Sequence, residues 1–293
     1  MILRENCDII RLKKCERGSR PMKLEHLLGR TSYIETPQAI IPVYFLTEKD
    51  IIFFDSGTEP SDELLELLER EELRVRAVVC THLHPDHIAN NDALVQRYGT
   101  EIFSHPMEIP ALHTRQAVSY FVTPIESGEE LDIDGAKIRL IPTPGHTTGH
   151  LVCVTPDGVC CLGDAMMSKS VLERARMPYM EDVDRSIISM EAIRQTDCPY
   201  YIAAHKGVAT REEFLTLVDD NIQKELDLYD LLRQKITGPV DVEELTSEFI
   251  RASGVRSEKM VVQDYVRLTA TVRIYALVHA GEYTLKGNLV VPV

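Results

Sequence analysis

The residues best suited to chemistry stand in one short segment, Thr81–His87. Four side chains that can ligate a metal, His82, His84, Asp86 and His87, fall within six residues directly after a predicted β-strand. Crowding so many imidazole and carboxylate groups into one loop is hard to explain unless a cation holds them together. Alternation along the loop predicts that His82 and His84 face one way and Asp86 and His87 another. That division indicates two adjacent metals rather than one.

Three further metal-ligating side chains stand in loops at the ends of other predicted strands: His146, Asp164 and His205. Collecting the loops gives a complete ligand inventory for two metals. The predicted sets are His82, His84 and His146 for one metal, and Asp86, His87 and His205 for the other. Asp164 could bridge the two metals through its two carboxylate oxygens.

These residues, in this order and context, resemble the metallo-β-lactamase superfamily. The resemblance covers residues 55–205 and includes the Pro-Gly-His146 loop and the Gly163-Asp164 pair. It implies an α/β (α+β) fold, a four-layer αβ/βα sandwich with a dinuclear site along one edge of the two packed sheets. Asp55 matches the position whose carboxylate supports the site in that family. In this role the carboxylate helps to orient a ligand imidazole.

The chain divides at about Thr210, where its composition changes. Before this point, mostly antiparallel strands with helices occur in two successive runs. After it, the spacing of apolar residues predicts three helices and a closing hairpin, an order typical of a winged-helix-type module. We therefore predict a catalytic domain at 1–210 and a small, mainly helical, winged-helix-like C-terminal extension at 211–293.

The amino-acid composition limits the kinds of partner that the protein is expected to bind. The formal charge is -14, from 46 acidic and 32 basic residues, which disfavours non-specific binding to nucleic acid or anionic lipid. The longest apolar stretches are far too short to span a bilayer, and charge interrupts the first residues, so no signal peptide is expected. Seven cysteines, an odd number without Cys-x-x-Cys, indicate reduced thiols and a cytoplasmic protein.

The ligand set predicts a hydrolytic reaction. Two metals about 3.5–4 Å apart can share a water and lower its pKa far enough to give hydroxide near neutral pH. We predict attack of this bridging hydroxide on the carbonyl of a small-molecule ester or thioester. Asp86 and Asp164 are the predicted catalytic residues: Asp86 orients the nucleophile and shuttles its proton, and Asp164 keeps the metals in register. Zinc suits the histidine-rich set best, although iron or manganese would also fit.

The sequence leaves the substrate open. The Pro-Gly-His-Thr-x-Gly-His loop is similar to that of glyoxalase II, a thioesterase. Asp164 stands where zinc β-lactamases usually carry cysteine, which argues against a β-lactam. Quorum-quenching lactonases carry a tyrosine shortly after the bridging aspartate, whereas this chain continues with Ala165. This difference argues against a lactone substrate but leaves it as an alternative. Tyr120, Tyr179 and Lys206 are candidate substrate contacts on position alone.

The C-terminal extension suggests an alternative. It resembles the winged-helix tail of the beta-lactamase-like protein 2 branch, some of whose members are endoribonucleases. A metal-dependent endoribonuclease or phosphodiesterase is therefore the second hypothesis, although the helix at 263–279 offers only Arg267 and Arg273 as basic groups. The plainer interpretation of the extension is a packing or dimerisation module, as in a homodimer. A third hypothesis is a catalytically silent metal-binding protein that uses this extension for partner contacts.

Overall fold

The computed structural model describes residues 22–115, 118–126, 128, 130–256 and 260–293. A strand predicted at 7–13 lies outside these residues. The described strands are β1 (Leu24–Leu28), β2 (Thr31–Glu35), β3 (Ile40–Phe45), β4 (Asp50–Phe54), β5 (Arg74–Val79), β6 (Glu101–Ser104), β7 (Val122–Pro124), β8 (Glu130–Ile133), β9 (Ala136–Pro142), β10 (Leu151–Val154), β11 (Cys160–Gly163), β12 (Tyr200–Ala203), β13 (Gly207–Thr210), β14 (Val240–Asp241), β15 (Tyr283–Lys286) and β16 (Leu289–Pro292). The helices are α1 (Asp62–Arg70), α2 (Asn91–Tyr98), α3 (Ile109–Arg115), α4 (Lys169–Leu172), α5 (Val183–Arg194), α6 (Arg211–Arg233), α7 (Val242–Ser253) and α8 (Met260–His279).

Two mixed sheets form the centre of the fold. The first has the strand order β1-β2-β3-β4-β5-β6-β7 and the second β13-β12-β11-β10-β9-β8. Strands β4 and β5 are parallel, as are β11 and β12, whereas β10 is antiparallel to β11. The carboxyl ends of parallel neighbours meet at one edge of a sheet. The loops after β4 and β5 therefore lie side by side, and so do the loops after β11 and β12 with the loop before β10.

Alternation along buried strands joins these sheets to each other and to the helices. Ile52 and Phe54 of β4 pack between the two sheets, whereas Ile51 and Phe53 face helices α1 and α2. In the second sheet, the outer face packs against α5 and α6. Burial of each apolar side chain of this size stabilises the folded state by about 1.5–3 kcal/mol. The result is the predicted four-layer αβ/βα sandwich.

Local signals set most of the helix ends. Ser61 caps α1, because its hydroxyl accepts a hydrogen bond from the Leu64 amide (3.1 Å). Gly99 ends α2 in the left-handed conformation (φ 67°). The sequence predicts that α2 begins at Ile88, which is too early. The helix begins at Asn91 because the preceding segment belongs to the irregular histidine loop.

Other local predictions were wrong. A proline at position 110 predicts a break in the helical stretch, but Pro110 does not break a helix. It lies in the first turn of α3, where the missing amide hydrogen has no partner to lose. The polar composition between residues 14 and 38 predicts an irregular stretch, but the described part of it holds the hairpin β1–β2, which turns at Gly29 (φ 55°). Strand β1 lies at the edge of the first sheet, and none of its residues is fully buried.

The C-terminal region follows the predicted order of helix, helix, helix and hairpin. A short strand, β14, adds to the hairpin and gives the sheet order β14-β16-β15. Phe214 and Val218, near the start of α6, pack against the second sheet, while Leu228 and Leu232 enter the core of the C-terminal helices. The division at residue 210 stays a prediction, because α6 contributes to both cores. None of the helices in the described residues is long and apolar enough to cross a membrane.

Candidate metal centre

The first predicted ligand set converges on one point. Nδ1 of His84 lies 3.0 Å from Nε2 of His82 and 3.0 Å from Nε2 of His146. All three imidazoles are buried, and two of them come from the loop after β5 while the third precedes β10. Imidazole nitrogens that point at one another at this distance match the ligand atoms of a bound divalent ion.

The second predicted set, Asp86, His87 and His205, lies beside the first. One ligand atom from each of its residues falls within 4.8 Å of the other two. Oδ2 of Asp86 is 3.5 Å from Nε2 of His205. His205 follows β12 in the second sheet, so this set spans both sheets of the sandwich. Ser168 holds the His205 loop, because its hydroxyl donates to the His205 carbonyl (2.7 Å).

Asp164 stands between the two sets. Its Oδ2 is 3.6 Å from Nε2 of His146, and 3.5 Å from the Nε2 atoms of His87 and His205. The sequence prediction used both carboxylate oxygens, whereas in the structure a single oxygen faces ligands of both sets. The Asp164 amide donates to Nε2 of His150 (3.1 Å). His150 thus supports the loop through hydrogen bonds, as predicted, and does not join either set.

Asp55 ties the loop after β4 to the loop after β5. Its carboxylate accepts hydrogen bonds from the Thr81 amide and hydroxyl, both at 2.8 Å. The same carboxylate lies 2.8 Å from Nδ1 of His87. The residue has a left-handed backbone (φ 59°), which is uncommon outside glycine and turns the side chain under the neighbouring loop. Asp55 has the contacts expected of the supporting carboxylate.

His87 provides the test of whether a metal fits. Its Nδ1 hydrogen is directed to Asp55, so the Nε2 lone pair faces the cluster. This buried Nε2 makes no hydrogen bond to the residues that the structure describes, since Oδ2 of Asp164 lies 3.5 Å away, too far for a well-formed one. A buried imidazole nitrogen without a partner costs free energy, and a metal ion would satisfy it. The fold and these His and Asp groups together imply divalent metal ions.

Electrostatics in the metal-free site points the same way. Burial acts to lower the pKa of His87, but the carboxylates of Asp164 and Asp55 outweigh it and hold the pKa well above its ordinary value. Burial acts to raise the pKa of Asp164, and the charges of His87 and His205 override it, so the pKa falls well below the usual range. Burial lowers the pKa of His82 well below its ordinary value. The two carboxylates therefore favour a positive charge at His87.

Glycine is required where the loops approach one another most closely. Gly163 has φ 53°, and a Cβ atom there would lie 2.4 Å from Oγ1 of Thr81. Gly145 has φ 147°, and a Cβ atom would lie 2.4 Å from Cα of Ser186 on α5. The residues before Asp164 and His146 are therefore glycines for a steric reason.

Glu108 is a site residue that the sequence did not reveal. Its buried carboxylate accepts hydrogen bonds from the amides of Leu83 (3.3 Å) and Gly149 (2.8 Å). Leu83 lies between two predicted ligands and Gly149 lies in the loop of a third. Glu108 therefore joins the two loops that build the first ligand set. A lone glutamate before a helix carries no local signal for this role.

The candidate substrate contacts have different surroundings. Tyr120 is a buried core residue near Asn91 (3.4 Å), and burial raises the pKa of its hydroxyl, so it is not a substrate contact. Lys206 is exposed beside His205. The Tyr179 ring lies 5.4 Å from the His84 ring and 5.3 Å from the ring of Tyr265 on α8. The C-terminal helices therefore reach the candidate metal centre through Tyr265.

The two basic groups proposed for an RNA-binding helix are engaged elsewhere. Arg273 is fully buried and pairs with Glu225 of α6. Arg267 pairs with Glu243 of α7. The interpretation of Arg273 as an accessible basic group was wrong, because a partner 48 residues away in sequence buries it.

Comparison with known proteins agrees with this geometry. Residues 38–205 match the sequence profile of the Metallo-beta-lactamase superfamily. The match covers more than half of the chain, and the chain belongs to this superfamily. The predicted family and its α/β fold are confirmed.

Individual relatives are more distant. The hydroxyacylglutathione hydrolase of Methylobacillus flagellatus is 33% identical over 112 residues, which cover 37% of this chain and 41% of the relative. That of Acidiphilium cryptum is 31% identical, with 38% and 44% covered. A beta-lactamase-like protein 2 homolog from Drosophila melanogaster is 24% identical, with 46% and 49% covered. The chain spans less than half the length of these curated relatives.

Solved structures resemble the chain over most of its length. A metallo-beta-lactamase family protein from Thermus thermophilus has a TM-score of 0.68 at 15% identity, covering 93% of this chain and 99% of its own. A beta-lactamase domain protein from Burkholderia ambifaria has a TM-score of 0.65 at 15% identity, with 92% and 94% covered. At this identity the likeness shows the fold alone.

Proposed function

We propose that this chain is a dinuclear metal-dependent hydrolase acting on the carbonyl of a small-molecule ester or thioester. The observation that carries the proposal is the position of Asp164 Oδ2, between one set of three imidazoles and a second set of two imidazoles and a carboxylate. One oxygen that faces both sets suits a ligand shared by two ions. Superfamily membership supports the same class of chemistry.

We assign His82, His84 and His146 to one ion, and Asp86, His87 and His205 to the other, with Asp164 shared. Two divalent ions held there would supply a water of lowered pKa as the nucleophile and would polarise the substrate oxygen. Zinc is the metal we propose, because imidazole predominates among the ligands; iron and manganese remain compatible.

Each acidic residue has a distinct part in this proposal. Asp86 is the most exposed of the seven side chains (49%), so it can orient the nucleophile and pass its proton to solvent. Asp164 is buried, and its depressed pKa keeps the carboxylate ionised between the two sets. Asp55 fixes the His87 ring through Nδ1. Tyr179 and Tyr265 line the approach to His84.

A thioester is the substrate class that we favour. Two relatives at more than 30% identity are named hydroxyacylglutathione hydrolases. RNA is disfavoured by the charge of -14 and by the pairing of Arg267 and Arg273 with carboxylates. The proposed partner is therefore a small molecule rather than a nucleic acid or a membrane.

The domain division, the cellular location and the oligomeric state are also proposals. The division into domains at 1–210 and 211–293 is supported by the apolar cluster in which α6, α7 and α8 pack together, although Met177, Met180 and Val183 also enter it. A cytoplasmic location is supported by the thiols in the described residues, which are buried and unpaired. A homodimer stays a prediction.

A substrate panel tests the proposal. Metal-loaded protein would be assayed on acylglutathione thioesters, aryl esters, lactones, phosphodiesters and single-stranded RNA. We expect thioester turnover that falls more than ~100-fold in Asp164→Asn, because even groups that only support a ligand contribute about 10–100-fold. Asp227→Asn, on the exposed face of α6, is the matched control and should keep wild-type activity. RNA cleavage that is lost in Asp164→Asn, without thioester turnover, would overturn the substrate assignment.

A further inference from the structure

The C-terminal helices contact the segment 178–180, which carries a hydrogen-bond partner of a predicted metal ligand. We propose that Thr269 and Arg273 of α8, together with Glu225 of α6, position His146 through this segment. The C-terminal helices then set the metal affinity of the first ligand set. This inference rests on the proposed metal centre and names residues outside it.

The last step of the pathway is the bond to His146. Nδ1 of His146 donates to the Tyr179 carbonyl (3.1 Å), and Nε2 of the same ring faces His84. A carbonyl on Nδ1 fixes both the tautomer and the orientation of a ligand imidazole. Movement of the Tyr179 carbonyl would therefore turn Nε2 away from its metal.

A single hydroxyl fixes the backbone on both sides of Tyr179. Oγ1 of Thr269 donates to the Pro178 carbonyl (3.1 Å) and accepts from the Met180 amide (3.0 Å). Thr269 and Met180 are buried, so these backbone groups have little access to water as an alternative partner. The Thr269 hydroxyl thus determines where the Tyr179 carbonyl lies.

Arg273 holds the threonine and the segment together. Its Nη1 donates to Oγ1 (2.6 Å) and the carbonyl (2.8 Å) of Thr269, and its Nη2 donates to the Pro178 carbonyl (3.1 Å). Oε2 of Glu225 accepts from Nη2 (2.6 Å) and Nε (3.0 Å) and neutralises the charge. The planar guanidinium offers donors in fixed directions that a flexible ammonium does not.

A contribution to stability does not by itself explain the fully buried ion pair between Arg273 and Glu225. Desolvation of two charges commonly cancels their attraction, and a well-packed apolar pair is often as stable. Oε1 of Glu225 is buried without a hydrogen-bond partner among the described residues, which adds to the cost. The fixed donors of Arg273 do supply geometry at the Pro178 carbonyl, which is what a positioning role requires.

The residues that follow this segment, Glu181 and Asp182, hold the loop that contains His146. The amides of Glu181 (2.8 Å) and Asp182 (2.9 Å) both donate to the Gly145 carbonyl. The Glu181 carboxylate accepts from the Thr148 amide (2.9 Å). A shift at residues 178–180 therefore moves the backbone on both sides of His146, and the displacement cannot relax locally.

Metal affinity of Thr269→Val tests the inference. The variant keeps the shape of the side chain and removes the hydroxyl. Competition with a chromophoric chelator would measure the affinity for Zn²⁺, and the visible absorption of Co²⁺-loaded protein would report ligand geometry. We expect one of the two binding steps to weaken about 10–100-fold. Thr269→Ser should restore it, since serine keeps the hydroxyl.

The matched control is Thr246→Val, in the same helical region. Thr246 is equally buried, but its hydroxyl donates to the Val242 carbonyl within α7 (2.7 Å). Equal metal affinity and Co²⁺ spectra in the two valine variants would overturn the inference. Should Thr269→Val not fold, Arg273→Lys removes the guanidinium geometry and keeps the charge; wild-type affinity in that variant would overturn it equally. Absence of metal binding by the unaltered chain would instead refute the proposed metal centre, and this inference with it.

Discussion

At the scale of single residues, His87 carries the clearest mark of a metal site. Carboxylates flank it on both sides, Asp55 at Nδ1 and Asp164 at Nε2. In the metal-free protein these carboxylates favour a proton on His87, because they raise the pKa of its imidazole well above the ordinary value. A metal ion on Nε2 would replace that proton. The proton and the metal are therefore competitors for one position.

This competition predicts how metal binding depends on pH. The raised pKa of His87 means that the metal-free folded protein keeps the proton near neutrality, and metal binding must release it. The proton stabilises the metal-free protein at low pH, and this contribution is lost as pH rises through the raised pKa. We expect Zn²⁺ affinity to increase from about pH 6 to about pH 8. Calorimetry in buffers of different ionisation enthalpy would count the released protons.

The matching control is chelator competition at constant ionic strength across the same pH range. An affinity that is independent of pH, together with no net proton release, would show that His87 is not protonated in the metal-free protein or does not bind the ion.

At the scale of elements, strand polarity gathers the ligands. The parallel pairs β4–β5 and β11–β12 bring their following loops to one edge, and β10 adds its preceding loop because it runs antiparallel to β11. Sequence could predict this much, since the ligands follow apolar strands at recognisable positions. It could not predict Glu108, whose carboxylate contacts Leu83 and Gly149, since nothing local in sequence marks that contact.

Glu108→Gln tests the link between the two loops. Glutamine has one carbonyl oxygen for two amides, so one of the amides of Leu83 and Gly149 would face an NH₂ group. We expect the free energy of unfolding of the metal-free protein to fall by about 1–3 kcal/mol. Urea denaturation followed by circular dichroism would measure it. Glu66→Gln, on the exposed face of α1, should change it by less than about 0.5 kcal/mol. Equal stability of the two variants would contradict the role of Glu108 in linking the two loops.

At the scale of the whole molecule, the sandwich and the C-terminal helices both contribute residues around the candidate metal centre. The four layers were predictable because buried strands and amphipathic helices alternate visibly in the sequence. The contacts of individual residues in the C-terminal helices were not predictable. Arg273 looks like an exposed base on a helix until Glu225 is known to bury it, and the approach of Tyr265 to His84 depends on tertiary packing.

The most direct test of the central claim is a metal titration of the metal-free protein. Zn²⁺ would be added stepwise while hydrolysis of an acylglutathione thioester is followed. The two ligand sets predict that activity rises to a plateau at two ions per chain, and that Asp164→Asn shows little activity at any metal concentration. Full activity without metal, or no thioester or ester hydrolysis with two ions bound, would contradict the assignment of a dinuclear hydrolase.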